Sequence, residues 1–114
     1  MSEFAFLFRG RLTSGSPEER QKHLEKWNLW IKGLRVHGHA NDHPGRPLEG
    51  SGKVVSGKSK LVKDGPFAEA KDIVGGFMLI EAEDLAQAVE LAKKCPLLDV
   101  GGSVEVRPVQ VLRS

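Results

Sequence analysis

The stretch Lys63-Asp64-Gly65-Pro66-Phe67-Ala68-Glu69-Ala70-Lys71 runs, one residue later, into Ile73-Val74-Gly75-Gly76-Phe77, so that a turn sequence leads into an apolar strand. Asp-Gly-Pro favours a turn because the aspartate can accept backbone N–H bonds and proline fixes its own dihedral. The strand after it extends from Ile73 to Glu81. Asp84, three residues before Gln87, then caps a helix whose Leu85, Ala88, Val89 and Ala92 face inward. Pro96 helps end that helix, and Val104, Val106, Val109 and Val111 supply a last strand.

Upstream, Phe4, Phe6 and Phe8 alternate with Ala5 and Leu7, which makes both faces of a first strand apolar. Ser16-Pro17-Glu18-Glu19 is a helix start, with Ser16 as N-cap, Pro17 in the first turn and Glu19 as capping-box partner. The helix is expected to reach about Val36, with Leu24, Trp27, Ile31 and Leu34 as one apolar stripe. A polar loop from His37 to Gly50 follows. Val54-Val55 and Leu61-Val62, separated by Ser56-Gly57-Lys58-Ser59, form an expected hairpin. The order matches a ferredoxin-like βαββαβ plan of the α+β class with an additional β-hairpin, two helices covering one face of an antiparallel sheet. The uncovered face would be a large hydrophobic patch, so a two-fold homodimer with sheets packed face to face is expected.

The length of 114 residues allows one domain, here taken as residues 1–114, with room for a single core. Lys and Arg (17) are interspersed with Asp and Glu (15), and no basic block tracks phosphates, so a nucleic-acid partner is not expected. The lone Cys95 cannot form an intramolecular disulfide, which fits a reducing compartment and a cytoplasmic location. The apolar run Phe4 to Phe8 is too short for a signal peptide or a membrane span.

The chain resembles the YCII-related family, in its DGPF-type branch, over essentially its whole length. The resemblance rests on Phe6-Leu7-Phe8-Arg9-Gly10, on His23-Leu24-Glu25-Lys26-Trp27 with Trp30, on Pro47-Leu48-Glu49 and on Gly52-Lys53-Val54-Val55-Ser56-Gly57. Asp64 to Phe67, Gly75-Gly76-Phe77, Cys95-Pro96 and Gly102-Ser103-Val104-Glu105-Val106-Arg107-Pro108 complete it. The resemblance implies a dimeric α+β barrel of ferredoxin-like subunits with a cleft between helix and sheet. It further implies small-molecule chemistry by a histidine and an aspartate. Cys95-Pro96 stands where the wider family pattern has an Asp-Pro pair.

His23 is the candidate catalytic histidine, because at 100° per residue His23, Trp27, Trp30 and Leu34 fall on one side of the helix. An imidazole beside two indoles could line a partly dry pocket and serve as general acid or base. The plainer alternative is a histidine at the edge of the core, hydrogen-bonded to a carbonyl. Asp64 is the candidate carboxylate partner that would orient the imidazole, against the alternative that it only builds the turn. Trp27, Trp30 and, more weakly, Arg9 are candidate substrate-binding residues. Ion pairs between neighbouring strands are the competing use of Arg9, Glu105 and Arg107.

Two other motifs are weighed and set aside. Gly52 to Ser59 satisfies the spacing G-x-x-x-x-G-K-S, but Val54-Val55 prefers a strand and no helix follows Lys58-Ser59, so no phosphate loop is expected. His37, His39 and His43 with Asp42 could gather around Zn²⁺, but a solvated loop explains them as well, and no metal or cofactor is assigned. The sequence therefore predicts a cytoplasmic homodimer that holds a small aromatic or carboxylate-bearing ligand. Its expected chemistry is proton transfer, elimination or isomerisation without a redox cofactor. The alternative is a non-catalytic ligand-sensing or protein-interaction module, linked to transcription regulation.

Overall fold

The computed structural model describes residues 1–10, 15–66 and 72–112. Its main sheet contains β1 (Ser2–Arg9), β2 (Gly45–Pro47), β5 (Val74–Ala82) and β6 (Ser103–Pro108), in the spatial order β2-β5-β1-β6. All pairings are antiparallel, and β1 lies between β5 and β6. Together with α1 (Pro17–Val36) and α2 (Leu85–Ala92), this is the ferredoxin-like arrangement. A separate two-stranded sheet, β3 (Gly52–Ser56) with β4 (Leu61–Gly65), is inserted between β2 and β5.

Local chemistry sets the element ends as the sequence predicts. The Ser16 side chain accepts from the Glu19 amide at 3.2 Å, and the Glu19 carboxylate accepts from the Ser16 amide at 3.4 Å. Asp84 accepts from the Gln87 amide at 2.8 Å and starts α2. The hairpin turns through Gly57, at φ 71°, and Lys60, whose amide donates to the Gly57 carbonyl at 3.1 Å. A 3-10 turn, Pro96–Val100, connects α2 to β6, and its residue Leu97 is fully buried.

The core lies between the helices and one face of the sheet. Phe4, Phe6 and Phe8 of β1 and Met78 and Ile80 of β5 are buried there, together with Leu34, Ala88 and Ala92 from the helices. Trp30 stacks on Phe6 with ring centroids 6.1 Å apart, and Trp27 meets the Phe8 ring edge-on at 5.0 Å. These aromatic contacts fix how α1 lies on the sheet. On the opposite face, Leu7 pairs with Phe77 and Ala5 with Leu79. Phe77 and Leu79 are exposed there, so the chain leaves that face open.

Four expectations require correction. The segment from His37 to Gly50 is not all loop, since Gly45–Pro47 forms the edge strand β2. Gly-Arg-Pro carries no strand signature, yet an edge strand can hold a proline because one side of it needs no ladder donor. Gly45 is required there by close approach: a Cβ would fall 1.8 Å from the Phe77 carbonyl oxygen. Asp64 and Gly65 end strand β4 rather than building a turn. Finally, Leu85 and Val111 are exposed, because α2 turns only Ala88 and Ala92 fully inward and β6 ends at Pro108.

Candidate functional site

A groove of about 370 Å³ opens between α1 and the β2 edge of the sheet. Leu24, Trp27 and Ile31 of α1 form one wall, and Phe8 and Met78 of the sheet form the other. The Pro44 to Pro47 segment closes a third side, and Asn28 and Arg35 bring polar groups to the helix wall. Arg35 also ties down the incoming loop, donating from Nε and Nη2 to the carbonyls of Asn41 at 3.2 Å and Asp42 at 3.0 Å. A mostly apolar concavity with a few fixed polar groups is the usual form of a small-molecule site.

His23 stands one turn before Trp27, half-buried, and does not itself line the groove. The Trp27 indole N–H donates to His23 Nε2 at 2.9 Å. Indole can only donate, so Nε2 must offer its lone pair, and the neutral imidazole carries its proton on Nδ1. The histidine is thus coupled to the aromatic wall of the groove and presents an N–H donor on its other nitrogen. Use of Nε2 as a base would require Trp27 to release it.

The remaining candidate residues are distributed differently. Asp64 forms an ion pair with Lys53 across the hairpin, and no hydrogen bond joins it to His23 among the described residues. Residues 67–71, which include Phe67 of the Asp-Gly-Pro-Phe motif, lie outside the described residues. Trp27 and Trp30 touch edge-to-face at 5.6 Å, yet only Trp27 lines the groove by the sheet edge. Trp30 donates to the Leu91 carbonyl at 3.2 Å and lines a second cavity on the α2 side. Arg9 donates to Glu105 at 3.0 and 3.2 Å and to the Asp72 carbonyl at 2.6 Å, at the end of β1. Hydrogen bonds from Arg9 and then Arg107 hold the Glu105 carboxyl below its ordinary value.

Cys95 is buried, and loss of solvation pushes its thiol up to about 12, which leaves it unreactive as a nucleophile. His37 Nδ1 donates to the Gly33 carbonyl, His39 Nδ1 to the Glu81 carbonyl, and the His43 amide donates to the Asn41 side chain. No group of three or more histidine, cysteine or carboxylate side chains able to hold a metal occurs among the described residues. No described helix is long and apolar enough to cross a membrane.

Sequence reasoning missed Phe8, Asn28, Arg35 and Met78 as groove residues. Asn28 and Arg35 were legible in principle, because Leu24, Trp27, Asn28, Ile31 and Arg35 recur at three- and four-residue spacings on α1. Phe8 and Met78 fall in the expected strands with no site role attached, and in the structure they also build the core.

Comparison with known proteins adds three findings. Residues 10–113 match the model of the YCII-related domain. Uncharacterized protein R00369 of Rhizobium meliloti (strain 1021) is 39% identical over 54 residues, which cover 46% of this chain and 44% of that protein. The chain thus matches less than half the length of this relative. Among solved structures, 5-chloro-2-hydroxyhydroquinone dehydrochlorinase from Burkholderia phenoliruptrix AC1100, in complex with 2,5-dihydroxybenzoquinone, is similar at a TM-score of 0.49 and 16% identity, covering 95% of this chain and 93% of that one.

Proposed function

Because this chain belongs to the YCII-related family, we propose that it is a small-molecule protein whose ligand lies in the groove between α1 and the sheet edge, beside Trp27, with His23 as its proton-handling residue. The observation that carries this reading is the Trp27 N–H to His23 Nε2 hydrogen bond, which links the imidazole to the groove wall. A flat, partly apolar ligand would stack against Trp27, Phe8 and Met78, next to the Trp27 N–H that holds His23 Nε2. The reaction class that fits is proton transfer, elimination or isomerisation at an activated carbon, with His23 Nε2 taking the proton as base once Trp27 releases it.

A second reading is favoured by the position of Asp64. Its pairing with Lys53 leaves the imidazole without a carboxylate partner among the described residues, and a groove without such a couple suits a ligand-sensing or interaction module. In either reading the working unit is a cytoplasmic homodimer in which a second copy covers Leu7, Phe77 and Leu79 on the open sheet face, since an exposed apolar patch of this kind favours association. A monomer in light scattering at micromolar concentration would end the dimer proposal.

The function is tested by a thermal-shift screen of small acids, phenols, quinones and lactones against wild type and His23→Ala in parallel. Turnover of a stabilising compound by wild type, lost in His23→Ala while binding survives, supports the enzyme. Equal stabilisation of both proteins with no product supports the module.

A further inference from the structure

The cavity on the other side of α1 has no part in the reading above. It measures about 370 Å³ and lies between α1 and α2, walled by Leu29, Trp30, Leu34 and Leu91. Its polar groups are His37, His39 and Lys94. His37 Nδ1 lies 2.8 Å from the Gly33 carbonyl, and His39 Nδ1 lies 2.8 Å from the Glu81 carbonyl. A carbonyl oxygen can only accept, so both Nδ1 atoms carry the proton, and each neutral imidazole keeps Nε2 as an unshared acceptor. Lys94 pairs with no carboxylate among the described residues, whereas its neighbour Lys93 pairs with Glu90 at 2.9 Å.

Gly33 is an independent sign that the space matters. It lies within α1, where glycine is less favourable than alanine. A Cβ built on it meets nothing within 4 Å, so packing inside this chain does not demand a glycine there. Its effect is to keep one wall of the cavity open. The Trp30 indole bonded to the Leu91 carbonyl holds another wall in place without a ligand.

We propose that this α1–α2 cavity is a second ligand site, for a small aromatic acid that also bears a hydroxyl group. Its carboxylate pairs with Lys94, its hydroxyl donates to the free Nε2 of His37 or His39, and its ring lies against Trp30 and the three leucines. A plain carboxylate leaves the imidazole acceptors unused, and a plain phenol leaves the ammonium unused.

The test is a titration of the full chain with 4-hydroxybenzoate, followed by the imidazole ¹⁵N signals of the histidines and the indole signals of both tryptophans. Benzoate and phenol serve as comparison probes. Saturable shifts at His37, His39 and Trp30 are expected, with 4-hydroxybenzoate about tenfold tighter than either comparison probe. Lys94→Ala is expected to weaken binding about tenfold, and Gly33→Leu, which fills the cavity, to remove it. No saturable shift at His37 or His39 with millimolar probe, or shifts centred on Trp27, would overturn the proposal. Unchanged affinity in Lys94→Ala would overturn it too, and that surface variant decides the matter even if Gly33→Leu fails to fold.

Discussion

The central sheet and the β3–β4 hairpin are built from similar residues and end in opposite circumstances. In the sheet, Phe4, Phe6, Phe8, Met78 and Ile80 are buried beneath two helices. In the hairpin, Val54, Val55, Leu61 and Val62 are all exposed, Val55 at 64%. The radius of gyration is 15.6 Å, against about 13 Å for a compact chain of this length. A strand pattern therefore specifies extended backbone, while burial depends on what the rest of the chain can lay over it. An isolated two-stranded ribbon is only marginally stable in water, so the hairpin contributes less to holding the fold than the covered sheet does.

The largest expected effect lies in the sheet. Phe6→Ala removes a fully buried ring stacked on Trp30 and is expected to cost about 3–5 kcal/mol in denaturant unfolding. A loss no greater than that of a hairpin valine would break the contrast between the regions. Gly102→Ala comes next, because a Cβ there would fall 2.4 Å from a buried Leu97 side-chain carbon, an overpacking expected to cost about 1–3 kcal/mol. Gly33→Ala has the opposite sign, since its Cβ enters open space, and should raise stability by about 0.5–1 kcal/mol.

The hairpin should respond least. Val62→Thr in a monomer is expected to change stability by less than about 0.5 kcal/mol. A loss that is larger and depends on protein concentration would show that a partner covers the ribbon, which sharpens the comparison. The Arg9–Glu105–Arg107 cluster provides a pH-dependent check at the sheet edge. The carboxyl of Glu105 is held below its ordinary value of 4.5. Its contribution is therefore complete above that value and fades as pH falls through the lower folded value. Glu105→Gln should remove this part of the acid-limb slope in pH-dependent unfolding and leave the pH profile above about pH 6 unchanged, since a glutamate there is already ionised in both states.

Much of the site was legible because it sits on one helix. The spacing of His23 and Trp27 places them one turn apart, and the structure joins them by a hydrogen bond. The same helical arithmetic put Trp30 beside them, and the two indoles do touch. They nevertheless line different cavities, because the sheet below and α2 beside them divide the space around α1. Asp64 shows the opposite limit. A turn motif identifies a carboxylate in a constrained backbone, but its partner, Lys53, was chosen by hairpin register.

Most elements and their order are legible in the chain alone: the capped helices, the aromatic first strand, the hairpin and the ferredoxin-like succession. These follow from short-range rules, since caps, side-chain periodicity and turn chemistry act within a few residues. Long-range contacts set the rest: Gly45–Pro47 pairs as an edge strand, Trp27 and Trp30 face separate cavities, and Asp64 pairs with Lys53. Each of those outcomes depends on which distant segment arrives alongside, and strand pairing and cavity walls are set by contacts between residues far apart in the chain.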